Sequence, residues 1–151
     1  MRAQMCHRVL FQSMTLDHFI KAQDFVWPSV LTELAAGEKR THWMWFVFPQ
    51  LRALGRSDRA IRYGLADLDD AREYLMHPIL GPRLRECVAL VLGHPQKSAH
   101  DIFGSPDDIK FRSSLTLFSR AAPGDDGALF REALRIFYAN EEDSLTVKLV
   151  P

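Results

Sequence analysis

Lys110, Ser113 and Ser114 have the spacing of a binding site. They stand three and four positions apart, so a helix would carry an ammonium group and a hydroxyl on one face. Segment 105–108 (SPDD) predicts the start of that helix, with a serine cap, a proline in the first turn and two carboxylates. Such a face suits a phosphate or carboxylate ligand. The alternative is ordinary capping, with a solvated lysine and serines hydrogen-bonded back to the helix.

A second set of polar residues brackets an apolar run. Residues 43–48 (WMWFVF) are all aromatic, Met or Val, so we expect this run to pass through the core. His42 precedes the run and Gln50 follows it, which places both to line a pocket at its ends. His42 titrates near neutrality and could serve as a general acid or base. The absence of a paired nucleophile favours the alternative, a hydrogen bond from its ring to a backbone carbonyl.

Arg83 is a third candidate, because it stands at a predicted helix start after a Gly-Pro turn. Its guanidinium could clamp a carboxylate or phosphate with two hydrogen bonds, or form a salt bridge with Glu86 or Asp101. The six histidines have no H-x3-H or HExxH spacing, so no metal site is predicted and no cofactor can be named. Cys6 and Cys87 lie far apart, and we expect both to be free thiols.

Composition limits the class of protein. The 151 residues are 47% apolar and 25% charged, as in a globular domain, and the formal net charge is zero. No apolar segment approaches the length of about 20 residues that a membrane helix needs, so we expect a cytoplasmic protein with no membrane partner. A basic cluster consists of Arg52, Arg56, Arg59 and Arg62. Its first three arginines could lie on one side and contact phosphates, with Trp43 or Tyr63 available for stacking. A solvated face that pairs with Asp67, Asp69 and Asp70 is commoner, and we do not expect a nucleic-acid partner.

Helical periodicity and helix-ending residues predict an all-α protein. Residues 1–13 are predicted to be an N-terminal tail, disordered or belonging to an upstream start, and residues 14–151 a single compact domain of six to eight helices. The first helix should begin after an N-cap at Thr15, kink or restart at Pro28, and end at Gly37. Further helices are predicted to start near residues 57, 67, 82, 99, 105, 128 and 142, with a surface loop at 123–127 (PGDDG).

Several motifs in this order resemble one known family. They are residues 39–50 (KRTHWMWFVFPQ), 54–57 (LGRS), 63–64 (YG), 74–78 (YLMHP), 80–84 (LGPRL), 102–104 (IFG) and 108–118 (DIKFRSSLTLF). The chain resembles the domain-of-unknown-function family 1810 (Rv1873-like). The resemblance implies a small, mainly helical, bacterial-type domain with no assigned function. The family's polar signature positions correspond to His42, Gln50, Tyr63, His77, Arg83, Lys110, Ser113 and Ser114.

Two hypotheses about function follow from the sequence. The first is an anionic small molecule, such as a nucleotide or phosphate metabolite, bound in one polar pocket beside the apolar run. Its lining would be His42, Gln50, Arg83, Lys110, Ser113 and Ser114. The second is a protein–protein interaction module or a homo-oligomeric structural protein without a ligand pocket, which would need a contiguous exposed apolar face. Whether the protein catalyses a reaction stays open in both.

Overall fold

The computed structural model describes the backbone of residues 2–151 and the side chains of residues 16–151. The all-α prediction is confirmed: these residues form nine α-helices and no strand, apart from an isolated parallel bridge between Leu51 and Leu65. The helices are α1 (Arg2–Ala36), α2 (Met44–Val47), α3 (Asp58–Arg62), α4 (Leu68–Met76), α5 (Leu80–Leu92), α6 (Ala99–Phe103), α7 (Asp107–Ala121), α8 (Ala128–Tyr138) and α9 (Ser144–Leu149). The tail predicted for residues 1–13 lies outside the residues whose side chains are described. α1 runs through position 15, so the helix start predicted after an N-cap at Thr15 is wrong.

Most helix ends follow from the local sequence. α1 ends at Gly37, whose φ of 71° is left-handed, and the amides of Gly37 and Glu38 donate to the carbonyls of Leu34 and Glu33. Ser57 caps α3 by accepting from the amide of Ala60. Asp67 caps α4 in the same way, and Ser98 caps α6 within a capping box.

Two proline positions bear on the predicted helix starts. α1 continues through Pro28, so of the two predicted alternatives the restart is wrong and the kink stays a prediction. α7 begins at Asp107 with Pro106 in the cap position, and Ser105 makes no capping hydrogen bond. The carboxylate of Asp108 supplies the local acceptor instead, since the amide of Ile109 donates to it at 2.9 Å. A carboxylate inside the first turn has therefore replaced the predicted serine cap.

Helix α7 is the centre of the molecule. It packs against α4, α6, α8 and α9, and every residue from 113 to 119 is buried. α5 packs against α1, α4 and α8 and completes the core. Contacts between Asp24 and Arg83 near one end and between Leu34 and His94 near the other show that α1 and α5 run parallel. Because α7 is surrounded along this length, its polar side chains there have little access to solvent.

The aromatic run folds as a single turn of helix. α2 covers residues 44–47, and Trp43, Met44, Val47 and Phe48 are buried as predicted. Trp45 and Phe46 are half-buried, so the prediction that the whole run lies in the core is wrong for these two residues. Successive residues of a helix point about 100° apart, so a turn that buries one side must turn its other side outward.

None of the helices formed by the described residues has both the length and the apolar character that crossing a bilayer requires.

Candidate functional site

Helix α1 holds the segment that carries Trp45 at two points. The carboxylate of Glu33 accepts hydrogen bonds from the amides of Arg40 and Thr41 at 2.6 and 2.8 Å. It also accepts from the Thr41 hydroxyl at 2.7 Å and from the indole nitrogen of Trp43 at 3.1 Å. Burial raises the pKa of the Glu33 carboxyl, but these hydrogen bonds outweigh burial and the net shift is downward.

The second anchor is the buried amide of Gln23. Its Nε2 donates to the carbonyl of Phe46 at 2.7 Å and to the hydroxyl of Tyr74 at 2.9 Å. Burial raises the pKa of Tyr74, so this hydroxyl stays neutral and can act as a hydrogen-bond partner without charge. Gln23 on α1 thereby ties α2 to α4. Its hydrogen bond to Phe46 holds the backbone next to Trp45 in place.

Two cations lie against the half-buried Trp45. The Lys110 ammonium on α7 is 4.6 Å from the ring centroid, and the Arg59 guanidinium on α3 is 5.4 Å from it. We call these three residues the Trp45 surface. They come from three different helices, so the packing of α2, α3 and α7 brings them together.

The position of Lys110 depends on Asp107, one turn earlier in α7. One carboxylate oxygen of Asp107 is 3.3 Å from the Lys110 ammonium, and the other is 2.8 Å from that of Lys39. The Lys39 side chain is only 6% exposed and also donates to the carbonyl of Thr41 at 2.6 Å. Asp107 therefore links the start of α7 to the chain that leads into α2.

The arginines between positions 52 and 62 are exposed and lack the predicted partners. None of the four takes part in the nine ion pairs between described side chains. The three aspartates expected to pair with them have other roles. Asp67 caps α4, Asp69 pairs with Arg72 at 2.9 Å, and Asp70 accepts from the amide of Ala66 at 3.0 Å.

The six residues predicted to line a pocket lie in different environments. Lys110 contacts the aromatic segment. Ser113 and Ser114 are buried in α7, and the Ser113 hydroxyl donates to the carbonyl of Ile109 at 3.2 Å, which is the back-bonded alternative. His42 is exposed in a bend. Gln50 accepts from the amide of Leu65 through its backbone carbonyl at 3.0 Å.

Arg83 is connected to α2 through Gln23, which also bonds the backbone of Phe46. Its guanidinium donates to the Gln23 side chain at 3.3 Å and to Asp24 at 2.6 Å, and it lies 4.8 Å from the centroid of the Trp27 ring. An internal salt bridge is therefore present, with Asp24 in place of the Glu86 or Asp101 considered from the sequence. The arginine joins α5 to α1.

None of the six predicted residues lines the clefts of about 490, 590 and 240 Å³ that other described residues form. The first, of about 490 Å³, includes Arg120 and Arg131, and the second, of about 590 Å³, includes Arg72 and Arg85. No group of three or more His, Cys, Asp or Glu side chains able to hold a metal ion occurs among the side chains described. Cys87 is a buried free thiol, and burial raises its pKa. Cys6 lies outside the described side chains.

Comparison with known proteins gives the family. Residues 13–150 match the family described as proteins of unknown function DUF1810. The chain belongs to the DUF1810 family. The crystal structure at 1.38 Å of the conserved hypothetical protein Rv1873 from Mycobacterium tuberculosis is similar to this DUF1810 chain, with 51% sequence identity and a TM-score of 0.87. The similarity covers 89% of this chain and 95% of that one. None of the curated proteins matches the chain.

Sequence reasoning missed three residues that form or support the Trp45 surface. Trp45 was placed in the core because the run 43–48 shows no polar residue that would mark its outer side. Asp107 was interpreted only as a charge at a helix start, although its spacing to Lys110 is a signal for an ion pair. Glu33 gave no signal, since its partners lie seven to ten positions later in a loop.

Proposed function

We propose that this DUF1810 protein binds a phosphate-bearing small molecule, such as a nucleotide, at the Trp45 surface. The observation that carries the proposal is the pair of cations, Arg59 and Lys110, against one half-buried aromatic ring. The proposal keeps the ligand class expected from the sequence and places Lys110 in the site, with Arg59 and Trp45 as its neighbours.

Electrostatics favours an anion at this place. Asp58 is the one acidic residue between positions 51 and 66, and it takes part in none of the nine ion pairs between described side chains. The charge of the four arginines is therefore left to solvent and counter-ions, and a bound phosphate would lower their mutual repulsion. Arg59 presents a fork of N–H groups that matches phosphate geometry, and Lys110 adds a point charge.

The Trp45 ring supplies a contact that a bare phosphate cannot use. Its partial exposure leaves apolar and aromatic surface beside the two cations, and a nucleobase or sugar can pack on such a surface. A ligand with both an aromatic ring and a phosphate should therefore bind more tightly than either part alone.

The test is a titration monitored by tryptophan fluorescence and by calorimetry, with AMP, ADP, adenosine and inorganic phosphate as separate probes. ADP should bind most tightly, and adenosine and phosphate each at least about tenfold more weakly. Arg59→Gln and Lys110→Gln should each weaken ADP binding by about tenfold. Arg135→Gln is the matched control, because it removes one positive charge from an exposed pair with Glu132.

The proposal fails if ADP does not bind, or if Arg135→Gln weakens binding as much as Arg59→Gln does. A single-stranded oligonucleotide is titrated as a further probe. If it binds at a salt concentration that abolishes ADP binding, then the phosphate chemistry is correct but the ligand is a nucleic acid, and the small-molecule proposal is overturned.

A further inference from the structure

The cleft of about 590 Å³ has a chemistry different from that of the Trp45 surface and shares no residue with it. It lies between α4, α5 and the connection from α7 to α8, and we call it the loop cleft. Its volume falls within the range of about 300–1,000 Å³ that is usual for small-molecule sites. Its lining consists of Arg72, Leu75, Met76, Arg85, Ala121, Ala122, Pro123, Gly124, Asp125 and Asp126.

Arginines from three helices hold the wall of the loop cleft in place. Arg72 on α4 donates to the carbonyl of Ala121 at 3.3 Å, and Arg85 on α5 donates to that of Asp126 at 2.6 Å. Arg131 on α8 donates to the carbonyls of Ser119, Ala122 and Gly124. The connection is thus fixed before any ligand arrives, which lowers the entropy that binding has to overcome.

The turn that closes the connection leaves no room for a side chain at Gly127. A Cβ there would lie 1.9 Å from the carbonyl oxygen of Ala122. The close approach of the two ends brings Asp125 and Asp126 to the rim of the cleft, in the short 3-10 turn 125–127. The backbone conformation of this turn therefore places the two aspartates, and no ion pair is needed to hold them there.

Charges of both signs line the cleft without neutralising one another. Arg85 bonds the backbone of Asp126, yet no carboxylate oxygen of Asp125 or Asp126 lies within 4.0 Å of any cationic nitrogen among the described side chains. The observed hydrogen bond of Arg85 uses Nη1 only, so Nε and Nη2 remain as donors. A cation and two carboxylates are therefore available in one cleft.

Apolar surface completes the lining. Leu75 is half-buried, and the Met76 side chain next to it is 84% exposed. A flexible thioether at the edge of a cleft adapts to apolar groups of different shape. In the cleft of about 490 Å³, by contrast, Arg120 is already paired with Glu142 by two hydrogen bonds of 2.9 and 3.1 Å.

We propose that the loop cleft binds a short zwitterionic peptide with an apolar side chain. The peptide carboxylate pairs with the guanidinium of Arg85, and the peptide ammonium group pairs with the carboxylates of Asp125 and Asp126. The apolar side chain of the peptide packs on Leu75 and Met76. A ligand with only one charge leaves either the arginine or the aspartates without a partner, so both chain ends are required.

The test is an amide NMR titration of the full chain with leucyl-leucine, with its N-acetyl derivative and with its C-terminal amide. Leucyl-leucine should shift the amides of Gly124, Asp125 and Asp126, and each blocked peptide should bind about tenfold more weakly. Arg85→Gln should remove the preference for the free carboxylate. The double variant Asp125→Asn/Asp126→Asn should remove the preference for the free ammonium group.

Arg59→Gln serves as the control, since it alters the Trp45 surface and should leave peptide binding unchanged. The aspartate variant keeps the test decisive if Arg85→Gln loosens the loop, because neither carboxylate takes part in an ion pair between described side chains. The proposal is overturned if leucyl-leucine shifts none of the three loop amides, or if the blocked peptides bind as tightly as the free one.

Discussion

The carboxylate of Glu33 fixes the path of the chain from α1 into α2. It is 8% exposed and accepts four hydrogen bonds, two from backbone amides, one from the Thr41 hydroxyl and one from the Trp43 indole. A buried carboxylate is unfavourable unless its oxygens are hydrogen-bonded, and here both oxygens are. The residues it holds stand directly before Trp45, so this one side chain also positions the segment that carries the Trp45 surface.

Glu33→Gln should lower the free energy of unfolding by about 2 kcal/mol, because the charge that strengthens these hydrogen bonds is lost. Urea denaturation at neutral pH measures the change. Glu38→Gln is the matched control, since the Glu38 side chain is 56% exposed and pairs only with exposed Arg40. A Glu33→Gln protein as stable as the control would show that the four hydrogen bonds contribute no net stability.

Stability should depend on pH through the same residue. Because the pKa of Glu33 is lower in the folded protein than its ordinary value of 4.5, the unfolded chain takes up a proton first as the pH falls. The contribution of Glu33 to the free energy of unfolding is therefore fully present above the ordinary pKa of 4.5. It is lost as the pH falls through the lower pKa of the folded state. The difference in stability between wild type and Glu33→Gln should narrow over this range, and a difference independent of pH would contradict the assignment.

The two tryptophans of the aromatic run should respond differently to truncation. Trp43→Ala should cost about 3–5 kcal/mol, because the ring is fully buried and its nitrogen is bonded to Glu33. Trp45→Ala should cost less, about 2 kcal/mol, since part of its ring already contacts water. Denaturant unfolding of both variants measures which one loses more free energy of unfolding. Equal losses would show that Trp45 belongs to the core.

At the scale of elements, the start of α7 is joined to the segment before α2 by Asp107. The Asp107 carboxylate is 19% exposed, and its two partners, Lys39 and Lys110, stand on opposite sides of the aromatic run in the sequence. The first turn of a helix also stabilises a negative charge through the helix dipole. The charge of Asp107 therefore favours the start of α7, and its two ion pairs link α7 to the segment that leads into α2.

Asp107→Asn should lower the free energy of unfolding by about 2–4 kcal/mol, because it leaves the buried Lys39 ammonium without its counter-charge. Asp17→Asn removes a similar ion pair, with Lys21, that is exposed on both sides, and should cost less than about 1 kcal/mol. Thermal unfolding of the two variants compares them directly. Similar melting temperatures would mean that the link between α7 and α2 does not stabilise the fold.

At the scale of the whole molecule, the charge is balanced in number but not in position. The chain has 19 basic and 19 acidic residues, yet residues 52–62 hold four arginines and one aspartate. A neutral protein with a local excess of one sign still creates a field that attracts opposite charges. The Trp45 surface lies at the edge of this arginine segment.

Asymmetric charge predicts retention on a cation-exchange resin at low salt and at a pH near the calculated pI of 7.0. Arg56→Gln/Arg59→Gln should elute at a clearly lower salt concentration. Lys21→Gln/Arg135→Gln changes the net charge by the same amount elsewhere and should elute close to the wild type. Equal elution of the two double variants would show that the arginine segment does not dominate the surface field.

The sequence determined what depends on neighbouring residues. Helix ends at Gly37, Ser57 and Asp67 follow from local hydrogen bonds and left-handed backbone, and these could be predicted because the interacting groups lie within a few positions of one another. The motifs around the aromatic run likewise identified the family. The all-α class follows from the same local signals.

Tertiary structure alone decided which polar groups meet. Ser113 and Ser114 have the right spacing for a binding face, but α7 is surrounded by other helices and both are buried. Trp45 and Arg59 showed no shared pattern, yet the packing of α2 and α3 places them together. Periodicity defines the faces of a helix, whereas contacts between distant segments decide which face meets solvent, and that depends on how all the helices share one core.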